Sequence, residues 1–296
     1  MRINWISIRT QILSGPNMTF KVAILCLAAL LGSNAFPIEE EERDMSIFFD
    51  HTDSSARIVG GTNAGNVPYM VALTTGTVSR SFLCGGSIVT RRTILTAAHC
   101  MRAAGGNNPS NSLRGTVGTN RWSSGGVSHN FQRGVMHAQY NHNLIKNDIG
   151  ILITASNIAF SITIQPLVIS YDFMGGGVAT RVTGWGRTSA GGSLSATLLE
   201  LRPSTIDGQR CVRDLAARAS QLNIRAPHVD PAIEICTFQG TGQGTCNGDS
   251  GSPLVRADRS QQIGIVSWGL PCARGAPDMF VRMSAYRSWM NSNTLQ

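Results

Sequence analysis

Cys246-Asn247-Gly248-Asp249-Ser250-Gly251 sets a serine in a tight glycine turn, immediately after a carboxylate. A serine hydroxyl is a poor nucleophile until a base takes its proton during attack. Upstream, Thr96-Ala97-Ala98-His99-Cys100 offers an imidazole, and Asn147-Asp148-Ile149-Gly150 offers a carboxylate to orient it. Each residue has a bland alternative: His99 as a core histidine, Asp148 as a loop acid, Ser250 as a turn serine. Singly, those alternatives are favoured. Jointly, with Ile58-Val59-Gly60-Gly61 placed after Arg57, they are not.

In the order His, Asp, Ser, and with these flanking residues, the chain resembles the chymotrypsin/trypsin family of serine proteases over residues 58 to about 292. The resemblance implies an all-β fold of two six-stranded antiparallel β-barrels, about 66–162 and 177–283, joined near Gln165-Pro166-Leu167. A C-terminal α-helix would begin near Ser284, with Tyr286, Trp289 and Met290 covering a barrel. His99 would be the general base, Asp148 its orienting acid and Ser250 the nucleophile. The backbone N–H groups of Gly248 and Ser250 would form the oxyanion hole, and a side chain at 248 would obstruct the turn. Cleavage after Arg57 would free an ammonium at Ile58 that the family buries against the acid beside the nucleophile, here Asp249.

The residues themselves read as β-rich. Val67–Thr75, Phe82–Thr90, Thr93–Ala98, Asn147–Thr154, Ala179–Gly184, Gln262–Trp268 and Asp278–Met283 are short apolar segments, separated by Gly-, Asn- and Ser-rich turns. Leu215–Leu222 reads as a second helix. His129, His137, His142 and His228 lack flanking motif residues and read as surface or packing positions.

Specificity follows from the resemblance. The family places the residue six before the nucleophile at the base of the primary pocket; here it is Gly244, where trypsin-like relatives carry Asp. Ser267-Trp268-Gly269 matches the strand that pairs with the substrate backbone, and Gly269 leaves the pocket mouth open. Both features imply a chymotrypsin-like preference for Phe, Tyr, Leu or Met. Asp278, six residues after Cys272, falls on the pocket's inner wall. An acid there resembles the crustacean collagenolytic proteases and some secreted insect chymotrypsin-like digestive enzymes. Such a pocket would take apolar and basic side chains alike. The alternative has Asp278 turned away and held by backbone donors, since burying an unpaired charge is costly. Ser252-Pro253 departs from the family's Gly-Pro and implies a packing adjustment behind the nucleophile.

The rest of the 296-residue chain is organised around export. Met18-Thr19-Phe20-Lys21, the apolar run Val22–Leu31 and Ser33-Asn34-Ala35 read as a signal peptide spanning 1–35, started at Met1 or Met18 and cut after Ala35. The apolar run is too short for a membrane anchor, which needs about 20 residues. Residues 36–57 carry seven acidic groups and read as an activation propeptide, unpacked and exposed. Residues 58–296 then form the protease domain.

With Cys26 in the signal, six cysteines remain, an even number that argues for disulfides in an oxidising compartment. Spacing leaves fifteen pairings open; the resemblance implies Cys84–Cys100, Cys211–Cys236 and Cys246–Cys272. The propeptide holds none, so no disulfide can tether it. Beyond Arg57 stand twenty basic and ten acidic residues, a net charge of +10, and Lys146 is the one lysine among them. Arginine keeps its charge where lysine loses it, which suits an alkaline fluid such as a gut lumen; codon bias or drift explains it equally. An α-amino group titrates near pH 8, so Ile58 would need its partner to hold a charge there.

No cofactor or metal cluster is implied, and the arginines are too dispersed for a nucleic-acid stripe. The expected partners are protein or peptide substrates, an activating trypsin-like protease and protein inhibitors of a secreted monomer. Two rivals stand beside this reading. One is a catalytically silent binding homologue, which intact His99, Asp148 and Ser250 disfavour. The other is a trypsin-like activator protease, which Gly244 disfavours.

Overall fold

The computed structural model describes residues 45, 48, 55–56, 60–187, 189–190, 193–270 and 272–295. Expectations for the signal peptide, Arg57 and Ile58 lie outside these residues.

Two short strands come first, β1 (Ser55–Ala56) and β2 (Thr62–Asn63). The first sheet is then built from β3 (Met70–Thr75), β4 (Ser81–Ile88), β5 (Thr93–Thr96), β6 (Arg114–Val117), β7 (Val127–His129), β8 (Phe131–Met136) and β9 (Gly150–Thr154). They pair in the order β7-β6-β3-β4-β5-β9-β8, all antiparallel. The two ends of that order, β7 and β8, are separated in the chain by Asn130 alone. They are halves of one bent strand, so the sheet closes into a six-stranded barrel. Closure removes the free edge that an open sheet would leave unpaired. Val71, Leu73, Ile94, Leu95, Ile151 and Ile153 fill it.

The second sheet uses β10 (Thr180–Gly184), β12 (Leu199–Leu201), β13 (Ser204–Ile206), β14 (Glu234–Phe238), β15 (Pro253–Arg256), β16 (Gln261–Gly269) and β17 (Asp278–Arg282), with β11 (Ser189–Ala190) pairing separately to β1. The order is β13-β14-β17-β16-β15-β10-β12-β2. Again its wrapping ends meet: β12 and β13 are one strand broken at Arg202-Pro203, where proline has no N–H for the ladder. Val182, Leu201, Ile235, Leu254, Ile263 and Phe280 form this core. The connection between barrels passes Gln165 and Leu167, whose amides donate to Pro68 and Ile88 carbonyls, before Ser170 N–H reaches Gln262 O at 2.9 Å.

Three helices matter here: α1 (Ala98–Arg102), α2 (Gly208–Gln221) and α3 (Arg287–Asn293). The expected helix over Leu215–Leu222 starts about two turns earlier, at Gly208. Asp207 caps it, accepting from Gln209 N–H and Arg210 N–H at 3.0 and 3.1 Å. The C-terminal helix follows a short 3₁₀ turn at Met283–Ala285, and Tyr286, Trp289 and Met290 pack on the first barrel. The disulfides join Cys84 to Cys100, Cys211 to Cys236 and Cys246 to Cys272.

One expectation fails. In the acidic segment 36–57, Met45 and Phe48 are only 4% and 6% exposed, packed in a cluster with Ile145, Trp268 and Leu270. The apolar run Met45-Ser46-Ile47-Phe48-Phe49 outweighs its acidic surroundings, because burial of an aromatic ring removes a large apolar area from water.

Removing the helix cap tests the local reading of α2. Asp207→Ala should lower unfolding stability by about 1 kcal/mol in urea titrations without changing the slope of the transition.

Candidate active site

Strand pairing brings the imidazole and its carboxylate together. Thr96 at the end of β5 lies opposite Gly150 at the start of β9. His99 follows three residues after the one, and Asp148 precedes the other by two. The result is a double contact: His99 Nδ1 lies 2.7 Å from Asp148 Oδ2, and His99 N–H donates to Asp148 Oδ1 at 2.8 Å. Ser267 Oγ from β16 donates to Asp148 Oδ2 at 2.6 Å, reaching across from the second barrel. Burial pushes the Asp148 carboxyl up, but the His99 charge and these hydrogen bonds outweigh it and hold it below the usual range. The turn before it is held in the left-handed region at Ile145 (φ 49°) and Asn147 (φ 55°), and Tyr286 OH donates to Asn147 Oδ1 at 3.0 Å.

Ser250 stands on the turn before β15, in the second barrel. Its carbonyl accepts from Gly85 N–H of β4 at 2.8 Å, which fixes the turn against the first barrel. Gly248 has φ 91°, a conformation that disfavours side chains, and a Cβ there would sit 2.9 Å from Leu194 Cδ2. The N–H groups of Gly248 and Ser250 donate to no carbonyl among the described residues, whereas Asp249 N–H donates to Cys246 O at 2.9 Å. His99, Ser250, Gly248, Arg187 and Leu194 line one cavity of about 160 Å³. The imidazole and the hydroxyl therefore share a space into which a peptide group fits.

Asp249 points the other way. It is fully buried and accepts from Gly186 N–H at 3.0 Å and Cys246 N–H at 3.1 Å. Among the described residues no side-chain cation pairs with it. Burial, only partly offset by these amides and reinforced by Asp278, pushes its carboxyl up to about 7.

On the other side of Ser250 a second cavity is lined by Thr245, Ser267, Trp268, Gly269, Cys272 and Phe48. Its volume is about 20 Å³, room for a water but not for a side chain. Gly244 and Asp278 stand behind this lining. Asp278 Oδ2 accepts from Thr245 N–H at 2.7 Å, and a Cβ on Gly244 would lie 2.9 Å from that oxygen. A Cβ on Gly269 would lie 3.4 Å from Asp278 Oδ1. Asp278 thus occupies the space that both glycines leave, and burial pushes its carboxyl up to about 7 against its bond to Thr245. Ser252 is packed in the same manner: its Oγ fills the position a Cβ on Gly85 would need.

A sequence model of the trypsin family matches residues 58–290. The chain belongs to the trypsin family. It is 33% identical to trypsin alpha-4 of Lucilia cuprina over 239 residues, which cover 80% of this chain and 87% of that one. Identity to trypsin beta of Drosophila erecta is 33% over 241 residues, 80% and 88% of the two chains. Chymotrypsin-2 of Vespa crabro is matched over its whole length, at 33% identity over 242 residues and 80% of this chain. Membership makes the chain a serine endopeptidase, a hydrolase acting on protein substrates.

Two participants were not evident from sequence, one inside this trypsin-family domain and one upstream of it. Glu234 is buried and accepts from Trp268 Nε1 at 2.7 Å, Lys146 Nζ at 2.9 Å and Asp230 N–H at 2.7 Å. Burial pushes its carboxyl up against the pull of Lys146. The signal was a lone acid between isoleucines, Ile233-Glu234-Ile235, with the domain's sole lysine elsewhere. The other is Phe48, whose signal was the apolar run inside the acidic segment.

The raised Asp249 has a consequence for stability. Between about pH 4 and about pH 7 the unfolded chain has already released this proton while the folded chain retains it, so stability falls as pH rises. Asp148, shifted downward, already contributes fully above pH 4 and does not offset the loss. Asp278 and Glu234, shifted in the same direction, add to the fall. Urea denaturation of the uncut chain at pH 5 and pH 8 should show it, and Asp249→Asn should make it smaller without abolishing it.

Proposed function

We propose that the chain is exported as a zymogen, cut between Arg57 and Ile58 by a trypsin-like protease, and then hydrolyses peptide bonds through His99, Asp148 and Ser250. The observation that carries this reading is the 2.7 Å contact of His99 Nδ1 with a buried, ionised Asp148, in a cavity that His99 shares with Ser250. Asp148 fixes the tautomer, leaving Nε2 to take the Ser250 proton as Oγ attacks the scissile carbonyl. The oxyanion meets the N–H groups of Gly248 and Ser250, whose lack of carbonyl partners leaves them available. His99 then protonates the leaving amine, and water repeats the sequence on the acyl-enzyme.

Asp249 supports the activation step. A fully buried carboxylate with only amide donors among the described residues is a site prepared for a cation, and the Ile58 ammonium is the one that cutting creates. The pairing would stabilise the turn that carries both oxyanion donors.

We assign the pocket a mixed preference, apolar with access to basic side chains. Asp278 fills the space that Gly244 and Gly269 leave, which sets a carboxylate behind the pocket lining. Protein protease inhibitors that fill the same cleft are the expected regulators.

Ser250→Ala should lower kcat by about a million-fold and Asp148→Asn by about ten-thousand-fold, with the fold intact by circular dichroism. Steady-state assays on the cut enzyme decide this. The ratio of kcat/KM for an Arg substrate to that for a Phe substrate should rise with pH through about 7 as Asp278 ionises. Asp278→Asn should make the ratio independent of pH and low throughout.

A further inference from the structure

Phe48 belongs to the segment upstream of Arg57, yet its ring stands on the substrate side of Ser250. Its centroid lies 5.9 Å from that of Trp268 at an interplanar angle of 88°, an edge-to-face contact. It lines the small cavity together with Ser250, Ser267 and Gly269. That cavity keeps about 20 Å³, against about 160 Å³ on the His99 side of the same serine. Met45, three residues earlier, is buried in the same apolar cluster as Trp268, Ile145 and Leu270.

We propose that this face of the cleft is a docking surface for the propeptide itself, and that the excised segment remains bound after cutting as a non-covalent inhibitor anchored by Phe48. The proposal rests on the reading of this cleft as the substrate site. Three observations choose the occupant. Its Met45 and Phe48 are already seated there. It carries seven acidic groups and the domain a net charge of +10, so attraction persists once the covalent link is gone. It lacks a cysteine, so any retention must come from such contacts.

Its conformation explains why it would inhibit rather than be digested. Phe48 N–H donates to Met45 O at 3.0 Å, closing a turn. That amide is therefore unavailable to the edge of β16, and a turn cannot lay a peptide bond out along a strand as a substrate must. The apolar side chains engage the cleft while the backbone stays out of register for attack.

The full chain is folded, cut after Arg57 and gel-filtered at low salt. The fragment ending at Arg57 should co-elute with the protease body, whereas a Phe48→Ala fragment should separate. Because that substitution lies outside the body, the body recovered from it is unaltered. Adding a synthetic 36–57 peptide to this body should raise the apparent KM at least tenfold with kcat unchanged, the peptide staying intact by mass spectrometry; the Phe48→Ala peptide should be at least tenfold weaker. Equal separation of the two fragments, equal potency of the two peptides, or cleavage after Phe48 would overturn the proposal. Labelling by an organophosphonate separates the readings: a body that labels at Ser250 but ignores the peptide overturns the docking alone. A body that neither labels nor hydrolyses removes the protease reading, and co-elution still decides the docking.

Discussion

One buried carboxylate holds the cleft together. Asp148 takes the ring N–H and the backbone N–H of His99 from its own barrel and the hydroxyl of Ser267 from the other. A carboxylate stripped of water is costly unless its lone pairs are filled, and each donor here fills one. The three bonds have a joint effect that none has singly. They fix the imidazole, and they fix β16 relative to the first barrel, so the β16 wall beside Ser250 and the His99 ring are located by the same two oxygens.

Three further acids are buried around this point, and each is accommodated by a different chemistry. Glu234 has a lysine, an indole and an amide. Asp278 has the amide and the hydroxyl of Thr245 and the room of two glycines. Asp249 has two amides and no described cation. That gradation orders them by how readily each ionises without help. Asp148 and Glu234 have charged or polar side-chain partners and act as fixed parts of the frame. Asp278 and Asp249 are held near neutrality, where a change of pH or the arrival of an ammonium alters their charge.

Much of this was legible in the sequence because local rules and tertiary demands agreed. Seven apolar segments bounded by glycine turns became strands within a few residues of their expected limits. The turn at Gly248 needed glycine for its dihedral, and glycine stood there. What escaped did so for identifiable reasons. Strands β7 and β8 are half-exposed and interrupted, so they lack a sustained apolar run; β12 and β13 are split by a proline. The start of α2 depended on a cap rather than on apolar spacing. The burial of Phe48 depended on a surface that exists only once both barrels are assembled, and composition had argued for exposure. Glu234 was invisible because its partners come from residues 146, 230 and 268, remote in the chain.

The arginine-rich surface gives Lys146 an unusual status. It is the domain's one side-chain primary amine, and it is engaged with Glu234 and poised 5.4 Å from the Trp268 ring. Acylating or reductively alkylating reagents therefore find almost nothing to modify on the body. A chain end created by the proposed cut after Arg57 would add one further amine to the body. Its pairing with the buried Asp249 would shield it from such reagents in the folded enzyme and unfolding would open it to them, so the contrast between the two labellings reports the proposed maturation.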